Sequence, residues 1–207
     1  MLKASIKELN HLLGNIDIYL LDQILKARFE KHFNILDAGC GEGRNLIYFV
    51  RNDYKVWAID QNQDSIQMLK YLIKSINKSY PSERFVTGKV GKMPYDDEFF
   101  DAVISSAVLH FAENRDHFIS MFREQIRVLK SGGILFVRLT TNVGIEHLIE
   151  PLGEGKYLLP DGSARFLLNK EQLDEVISQF KLEFIEPFKT VIVDNQRSMS
   201  TLVLKKV

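Results

Sequence analysis

The residues best suited to bind a small ligand form the glycine-rich segment Asp37–Gly43, with the sequence DAGCGEG. Its first two residues end the short apolar run Asn34–Ala38. Glycine at positions 39 and 41 permits a tight turn and leaves no Cβ between the backbone and a ligand. A helix after the turn would present free N–H groups to an anionic part of that ligand. By itself the segment indicates either a nucleotide-like ligand or a strand-to-helix turn that binds nothing.

Asp60 is the second residue of interest, because it ends the apolar run VWAID about 20 residues after the glycine turn. A carboxylate at that interval can accept hydrogen bonds from both ribose hydroxyls, although an isolated aspartate there would be read as a solvated strand end. Together, the turn and Asp60 predict an adenosine-type ligand. The pyrophosphate fingerprint G-x-G-x-x-G would require a glycine at Arg44, so an NAD(P)-binding oxidoreductase is the alternative interpretation.

Other side chains carry weaker signals. His110 could act as a general base or could be a structural histidine hydrogen-bonded to the backbone. The histidines form no H-x-x-x-H pair, and Cys40 is the single cysteine, so we predict no metal site. The chain also lacks a G-x-S-x-G elbow and a P-loop lysine, which argues against hydrolase and kinase activity.

The elements that must position these residues alternate between strand and helix, and this alternation predicts an α/β, doubly wound parallel sheet with ligands at the carboxyl ends of its strands. The predicted strands are Asn34–Ala38, Lys55–Ile59, Arg84–Thr87, Ala102–Ser105 and Ile134–Leu139. The predicted intervening helices are Arg44–Arg51, Gln63–Asn77 and Arg115–Leu129.

The two ends of the chain extend this pattern. A helix is predicted at Lys170–Gln179, followed by strands at Leu182–Phe188 and Thr201–Leu204. No helical pattern separates those two strands, so the last strand should run antiparallel. An amphipathic helix is predicted at Ile16–Phe29, within an N-terminal helical cap at 1–32.

Composition restricts the class of protein. A chain of 207 residues without a linker or repeat is predicted to form one domain, 1–207. Lysine plus arginine equals aspartate plus glutamate, at 27 each, which makes a nucleic-acid partner unlikely. A single cysteine, the lack of a signal peptide and the lack of a long apolar stretch predict a cytoplasmic protein without a membrane partner. The oligomeric state is left open.

From Ile35 to Val137 the chain resembles the class I S-adenosylmethionine-dependent methyltransferases. The family's first motif is similar to ILDAGCGEG, and its ribose-binding acid corresponds to Asp60. Its adenine loop and fourth strand are similar to GKVGKMPYDDEFFDAVISSAVLHF, and its fifth-strand hairpin is similar to LKSGGILFV. The resemblance implies a Rossmann-like, seven-stranded sheet with an antiparallel last strand. It also implies S-adenosylmethionine as cofactor and S-adenosylhomocysteine as product.

The resemblance also implies roles for individual residues. Gly39, Cys40 and Gly41 would pass under the methionine and ribose, with Asp37 orienting the amino group. Asp60 would bind the ribose. The remaining implied contacts are Gln61 beside the adenine, Val90 donating its N–H to a ring nitrogen, and Ser105 or Ser106 bordering the sulfonium. Lys89 stands where the family often has an aspartate that accepts from the adenine amino group, and lysine can only donate.

On the acceptor side, GCGEGRN is similar to tellurite-resistance-type methyltransferases. Arg44 could bind an anionic substrate or form a surface ion pair. The fourth strand ends in SSAV instead of the N/D-P-P-Y of enzymes that methylate nucleobase or amide nitrogens. We therefore expect a small-molecule acceptor, and keep a non-catalytic S-adenosylmethionine-binding protein as a further alternative.

The long connection at 140–168 is predicted to be an ordered lid or substrate segment, because long loops in compact domains are usually functional or disordered. It contains His147 and Arg165, whose planar guanidinium suits a carboxylate or oxyanion. Tyr19 on the leading helix would close the opposite side. Arg165 could equally pair with a surface acid such as Glu150.

Overall fold

A central mixed sheet organises the molecule, and the computed structural model describes residues 5–207. Its strands are β1 (Asn34–Ala38), β2 (Lys55–Asp60), β3 (Phe85–Thr87), β4 (Phe100–Ser106), β5 (Leu129–Thr141), β9 (Leu182–Phe184), β10 (Lys189–Val193) and β11 (Arg197–Lys206). Their order in the sheet is β10-β11-β5-β4-β1-β2-β3, with β9 also paired to β11. β1 to β5 are parallel, whereas β11 is antiparallel to β5. The predicted doubly wound α/β sheet with an antiparallel last strand is confirmed.

The sheet has seven strand positions because β9 and β10 lie one after the other along the same edge of β11. The sequence prediction placed one strand at Leu182–Phe188 and a loop after it, which was wrong for β10. A hairpin joins β10 to β11 through Asp194 and Asn195, which have φ values of 47° and 53°. Asn and Asp tolerate this left-handed conformation, and consecutive residues of this kind are typical of tight hairpin turns.

Six helices lie in residues 5–207: α1 (Ile6–Leu13), α2 (Ile18–Leu25), α3 (Ile47–Arg51), α4 (Gln63–Ile76), α5 (Arg115–Val128) and α6 (Lys170–Gln179). Side chains alternate across each strand, so β1 directs Ile35 toward a cluster that includes α2, α3 and α4. The next residue, Leu36, faces a cluster that includes α5 and α6. Helices on both faces explain why the strands are apolar throughout.

The N-terminal region departs from the single predicted helix at Ile16–Phe29. It forms α1 and α2 with a break between them, because Gly14 has a φ of 63° and Asp17 caps α2 by accepting from the Tyr19 N–H. The predicted cap at 1–32 includes residues 1–4, which lie outside the described residues. The interruption matters because it brings Asp17 to the sheet.

The connection after β5 contains a small antiparallel sheet of β6 (Glu150–Gly153), β7 (Lys156–Leu158) and β8 (Ala164–Phe166). Phe166 is fully buried and stacks on Phe118 of α5, with ring centroids 4.8 Å apart. The Thr140 hydroxyl donates to the Phe166 carbonyl at 3.2 Å. This segment is therefore ordered and attached to the domain core.

Candidate functional site

The glycine turn leaves β1 at the point where the chain order of the sheet reverses, between β1 and β4. Gly39 and Gly41 have φ values of 82° and 52°, which favour glycine. A Cβ at Gly39 would collide with the Val108 side chain, whereas a Cβ at Gly41 would meet no atom within 4 Å. The N–H of Gly39 also donates to the Ile59 carbonyl at 2.8 Å. Gly39 thus lets the turn pack against the segment after β4, and Gly41 faces open space.

The helix after the turn begins at Ile47, not at Arg44 as predicted from the sequence. Gly43 explains the difference: its φ of 85° interrupts helical backbone, and the Leu46 N–H donates to its carbonyl in a separate turn. A Cβ at Gly43 would collide with Leu69 of α4. The third glycine therefore serves the packing of the loop against α4.

Asp60 ties the end of β2 to two neighbouring segments. Its Oδ2 accepts from the Gly41 N–H at 2.8 Å, and its Oδ1 accepts from the Asn62 N–H at 2.9 Å. Each carboxylate oxygen can accept more than one hydrogen bond. The carboxylate is thus held in place by backbone donors while it keeps acceptor capacity for a ligand.

A first cavity of about 340 Å³ opens beside Asp60 and the glycine turn. This volume lies in the range typical of small-molecule sites. The structure places these predicted site residues around it: Gly39, Asp60, Gln61, Lys89 and Val90. The other lining residues were not predicted: Gly91 lies within the adenine-loop motif, and the rest follow β4, namely Ala107, Val108, Phe111, Glu113, His117 and Met121.

Asp37 lies in β1 just before the turn and is almost completely buried, at 1% exposure. Its Oδ2 has no hydrogen-bond partner. Burial raises the pKa of the Asp37 carboxyl to about 7; the nearby Asp60 adds to that rise, and Arg44 opposes it. Buried polar atoms are nearly always paired, so this carboxyl has capacity for a further donor, and Asp37 lines neither cavity described here.

Cys40 lies within the turn and lines neither cavity described here. Its side chain is buried, and the thiol lies 3.4 Å from the Gly41 carbonyl. Burial raises the pKa of this thiol above its ordinary value. The group is therefore a protonated thiol and not a nucleophilic thiolate at neutral pH.

The two serines at the end of β4 are not among the residues that line the first cavity, and their hydroxyls are hydrogen-bonded elsewhere. The fully buried Ser105 hydroxyl accepts from Gln125 of α5 at 3.2 Å. Ser106 donates to the Asp17 carboxylate at 3.1 Å. Successive residues of a strand face opposite sides, so both hydroxyls are directed to the faces of the sheet, and Ala107 borders the cavity instead.

Asp17 is a buried residue that sequence analysis missed, and it joins α2 to the ends of β4 and β5. Besides Ser106, its carboxylate accepts from Arg138 Nη1 at 3.0 Å and pairs with Arg44 at 3.5 Å. The Arg138 guanidinium lies 5.2 Å from the ring centre of Tyr19. Arg44 is thus part of this network. The signal that could have identified Asp17 in the sequence is its position directly before the apolar helix α2.

A second cavity of about 600 Å³ adjoins the first and shares Ala107 and Phe111 with it. Its remaining lining comes from the segment after β4, β5, the β7–β8 region and the β10–β11 hairpin: His110, Arg138, Thr140, Leu159, Asp161, Ser163, Arg165, Val193, Asp194, Gln196, Arg197 and Met199. The predicted candidates His110 and Arg165 therefore lie together. His147 is exposed and lines neither cavity.

His110 is 6% exposed, and its Nδ1 has no hydrogen-bond partner. That atom therefore does not make the backbone hydrogen bond that a structural histidine would make. Burial and then, in order of influence, Arg165, Arg197 and Arg138 together lower the pKa of the imidazole to about 4. The ring is neutral at pH 7.

Within residues 5–207, no group of three or more His, Cys, Asp or Glu side chains is arranged to hold a metal ion. Within the same residues, no helix has the length and apolar character needed to cross a membrane.

Comparison with curated proteins gives partial matches. The phthiotriol/phenolphthiotriol dimycocerosates methyltransferase of Mycobacterium tuberculosis is 31% identical over 101 residues, which are 48% of this chain and 34% of the relative. The chain thus spans about a third of the length of that relative.

Solved structures share the fold. A methyltransferase from Methanosarcina mazei superimposes with a TM-score of 0.72 at 19% identity, covering 89% of this chain and 97% of the other. The 1,6-didemethyltoxoflavin-N1-methyltransferase of Burkholderia thailandensis, crystallised with S-adenosylhomocysteine, gives 0.66 at 17% identity, with coverages of 89% and 75%. TehB from Haemophilus influenzae gives 0.66 at 20% identity, with coverages of 97% and 65%.

A family model described as a methyltransferase domain matches residues 36–137. This range begins in β1, contains the glycine turn, Asp60 and the segment after β4, and ends in β5. Residues 36–137 thus match a methyltransferase domain, and the sheet order is that of the class I S-adenosylmethionine-dependent methyltransferase fold.

Proposed function

We propose that the protein transfers a methyl group from S-adenosylmethionine in the first cavity to a small-molecule acceptor in the second. The observation that supports this arrangement is the shared wall: Ala107 and Phe111 line both cavities. An acceptor in the second cavity would therefore lie next to a cofactor in the first. S-adenosylmethionine, when bound, supplies a methyl group attached to a positively charged sulfur.

The residues around the first cavity suit this cofactor. Asp60 would accept hydrogen bonds from the ribose hydroxyls, since it keeps acceptor capacity beyond its two backbone donors. The unpartnered Asp37 carboxyl would receive the cofactor's amino group. Val90 and Gln61 would border the adenine. The cavity size and the open space at Gly41 support the same assignment.

The chain's part in the transfer is to hold the two molecules together and to exclude water, which can supply much of a rate enhancement. We assign this covering role to the 140–168 segment, because Leu159 and Arg165 from it line the second cavity. His110 is the neutral imidazole of that cavity and would accept a proton from an acceptor O–H or N–H group.

Three further observations support a small-molecule acceptor. The mycobacterial relative and the Burkholderia structure are named for methylation of small molecules. The second cavity has a volume of about 600 Å³, which suits a small molecule. The balance of 27 basic and 27 acidic residues offers no net attraction to nucleic acid. The cytoplasmic location stays a prediction.

The proposed activity is tested by incubating the protein with S-adenosylmethionine and pools of small acids, phenols, amines, thiols and oxyanions, and measuring S-adenosylhomocysteine by mass spectrometry. We expect acceptor-dependent product in at least one pool, and its loss in a pool without the acceptor. Cofactor binding without product in any pool would favour the non-catalytic alternative. The nicotinamide alternative predicts binding of NAD, which calorimetry measures separately.

A further inference from the structure

Three guanidinium groups from three different strands converge on the second cavity: Arg138 of β5, Arg165 of β8 and Arg197 of β11. The carboxylates that line the same cavity are Asp161 and Asp194, and Asp194 is exposed in the hairpin turn. The cavity wall is therefore more cationic than the neutral chain as a whole.

Two of the three arginines are already paired. Arg138 Nη1 lies 3.0 Å from the Asp17 carboxylate, which is buried behind the cavity. Arg197 Nη2 lies 2.6 Å from the Asp161 carboxylate. Arg138 shares the Asp17 carboxylate with Arg44, whereas Arg197 is the arginine that pairs with Asp161.

Arg165 differs, since it forms no ion pair with a carboxylate of residues 5–207, Glu150 included. Its Nη1 donates to the Ala164 carbonyl at 2.8 Å, and the guanidinium lies 4.9 Å from the ring centre of Phe111. Phe111 belongs to the wall shared by the two cavities. A partly buried cation without an ion-pair partner in residues 5–207 thus lies at the boundary where an acceptor would meet the cofactor.

His110 adds a second, independent sign of a ligand. The side chain is more than nine-tenths buried, lines the cavity and leaves Nδ1 without a partner. Arg138 Nε is likewise buried and unpartnered. A ligand with acceptor oxygens would satisfy such a donor, whereas an uncharged apolar molecule would leave it unpaired.

We propose that the second cavity selects acceptors that carry a carboxylate, bound by the guanidinium of Arg165. Arg165 is the arginine of this cavity that has no ion pair among residues 5–207, and its planar fork fits the two oxygens of a carboxylate. The proposal rests on the proposed function, because it takes this cavity as the acceptor site.

The test uses matched pairs of probes that differ only in charge: benzoate and benzamide, 4-hydroxybenzoate and 4-hydroxybenzamide, and indole-3-acetate and indole-3-acetamide. Binding is measured by ligand-observed NMR on protein saturated with S-adenosylhomocysteine. We expect carboxylates to bind at least about tenfold more tightly than their amides, as expected for hydrogen bonds to a charged group. Arg165→Gln should remove most of that preference without changing the Kd for S-adenosylhomocysteine.

The control variant is Arg123→Gln, which removes an exposed arginine of α5 that lines neither cavity. It should leave the carboxylate preference intact. Equal reduction by Arg123→Gln and Arg165→Gln would show a general effect of net charge and would overturn the assignment to Arg165.

The pKa of His110, followed by histidine-edited NMR, gives a readout independent of affinity. The charged groups around this cavity are Arg138, Arg165, Arg197, Asp161 and Asp194. A bound carboxylate would offset the arginines and raise the imidazole pKa, whereas the matching amide would not. His110→Gln identifies the signal among the five histidines.

Each outcome decides the question. Equal binding of acids and amides, or no binding of any carboxylate at millimolar concentration, would overturn the proposal while S-adenosylhomocysteine still binds. A protein that fails to bind S-adenosylhomocysteine would overturn the proposed function, and this proposal with it.

Discussion

At the scale of single residues, Asp37 combines burial with a missing hydrogen-bond partner. Burial raises its carboxyl pKa to about 7, so the group is largely protonated in mildly acidic solution. A ligand ammonium beside it would stabilise the carboxylate form. Binding of the cofactor is then linked to the loss of a proton from Asp37.

This linkage predicts that affinity for S-adenosylmethionine rises between pH 5 and pH 7 and levels off above pH 7. The slope should approach about tenfold per pH unit well below the pKa, because one proton must leave on binding. Calorimetry in two buffers with different ionisation enthalpies measures the proton released. Asp37→Asn should bind more weakly and show no such slope. A constant affinity across this range in the unmodified protein would refute the role given to Asp37.

Lys89 carries the second residue-scale prediction. It is exposed at the edge of the first cavity, where family members often present an acceptor to the adenine amino group. Lys89→Asp should therefore bind S-adenosylhomocysteine as well as the unmodified protein or better, as measured by calorimetry. The control is Lys92→Asp, an equal charge change at an exposed position outside the cavity lining. A tenfold loss of affinity confined to Lys89→Asp would reveal a contact made by the lysine itself.

At the scale of elements, the spacing of apolar residues and the polar or glycine residues at the ends of each element were enough to predict the parallel strands and the helices that cover them. Buried strands such as β1 and β4 are apolar runs bounded by polar or glycine residues, and α4 and α5 each begin at an asparagine whose side chain accepts from the first turn. These features are local, so the sequence displays them directly.

Elements that depend on distant partners were less predictable. β5 extends from Leu129 to Thr141 because β4 and β11 pair with it on both sides, well beyond its predicted limits. β6, β7 and β8 are short and half-exposed, with no clear alternation. The residues that line the two cavities were difficult to predict for the same reason. Phe111 of the segment after β4 and Arg197 of β11, for example, come together only through the fold.

Asp17 provides a prediction about how α2 is attached to the sheet. Removing a partner from a buried ion pair leaves an uncompensated charge, which typically costs about 3–5 kcal/mol. Asp17→Ala should lower the free energy of unfolding by an amount in this range, measured by urea denaturation, because Arg138 and Ser106 lose their partner.

The matched control lies on the same helix. Asp22 pairs with Lys26 at 2.9 Å, but its side chain is 40% exposed. Asp22→Ala should cost at most about 1 kcal/mol, as is usual for exposed pairs. Similar losses in the two variants would show that the Asp17 network has no special part in stability.

At the scale of the whole molecule, the fold brings two cavities to one edge of the sheet. The first lies over the glycine turn and the end of β2, the second under the β7–β8 region and the β10–β11 hairpin, and the segment after β4 separates them. Elements far apart in the chain therefore contribute to one site. The N-terminal region takes part through Asp17, which holds Arg138 of the second cavity.

The central claim is that the first cavity binds S-adenosylmethionine through Asp60. The most direct test is calorimetry of S-adenosylhomocysteine with the unmodified protein, Asp60→Ala and the control Asp64→Ala, which removes an exposed carboxylate from the first turn of α4. We predict that the unmodified protein and Asp64→Ala bind alike. Asp60→Ala should lose about 1.5–3 kcal/mol of binding free energy, as expected for hydrogen bonds to a charged group. An unmodified protein that does not bind, or an Asp60→Ala variant that binds as tightly as the other two, would contradict it.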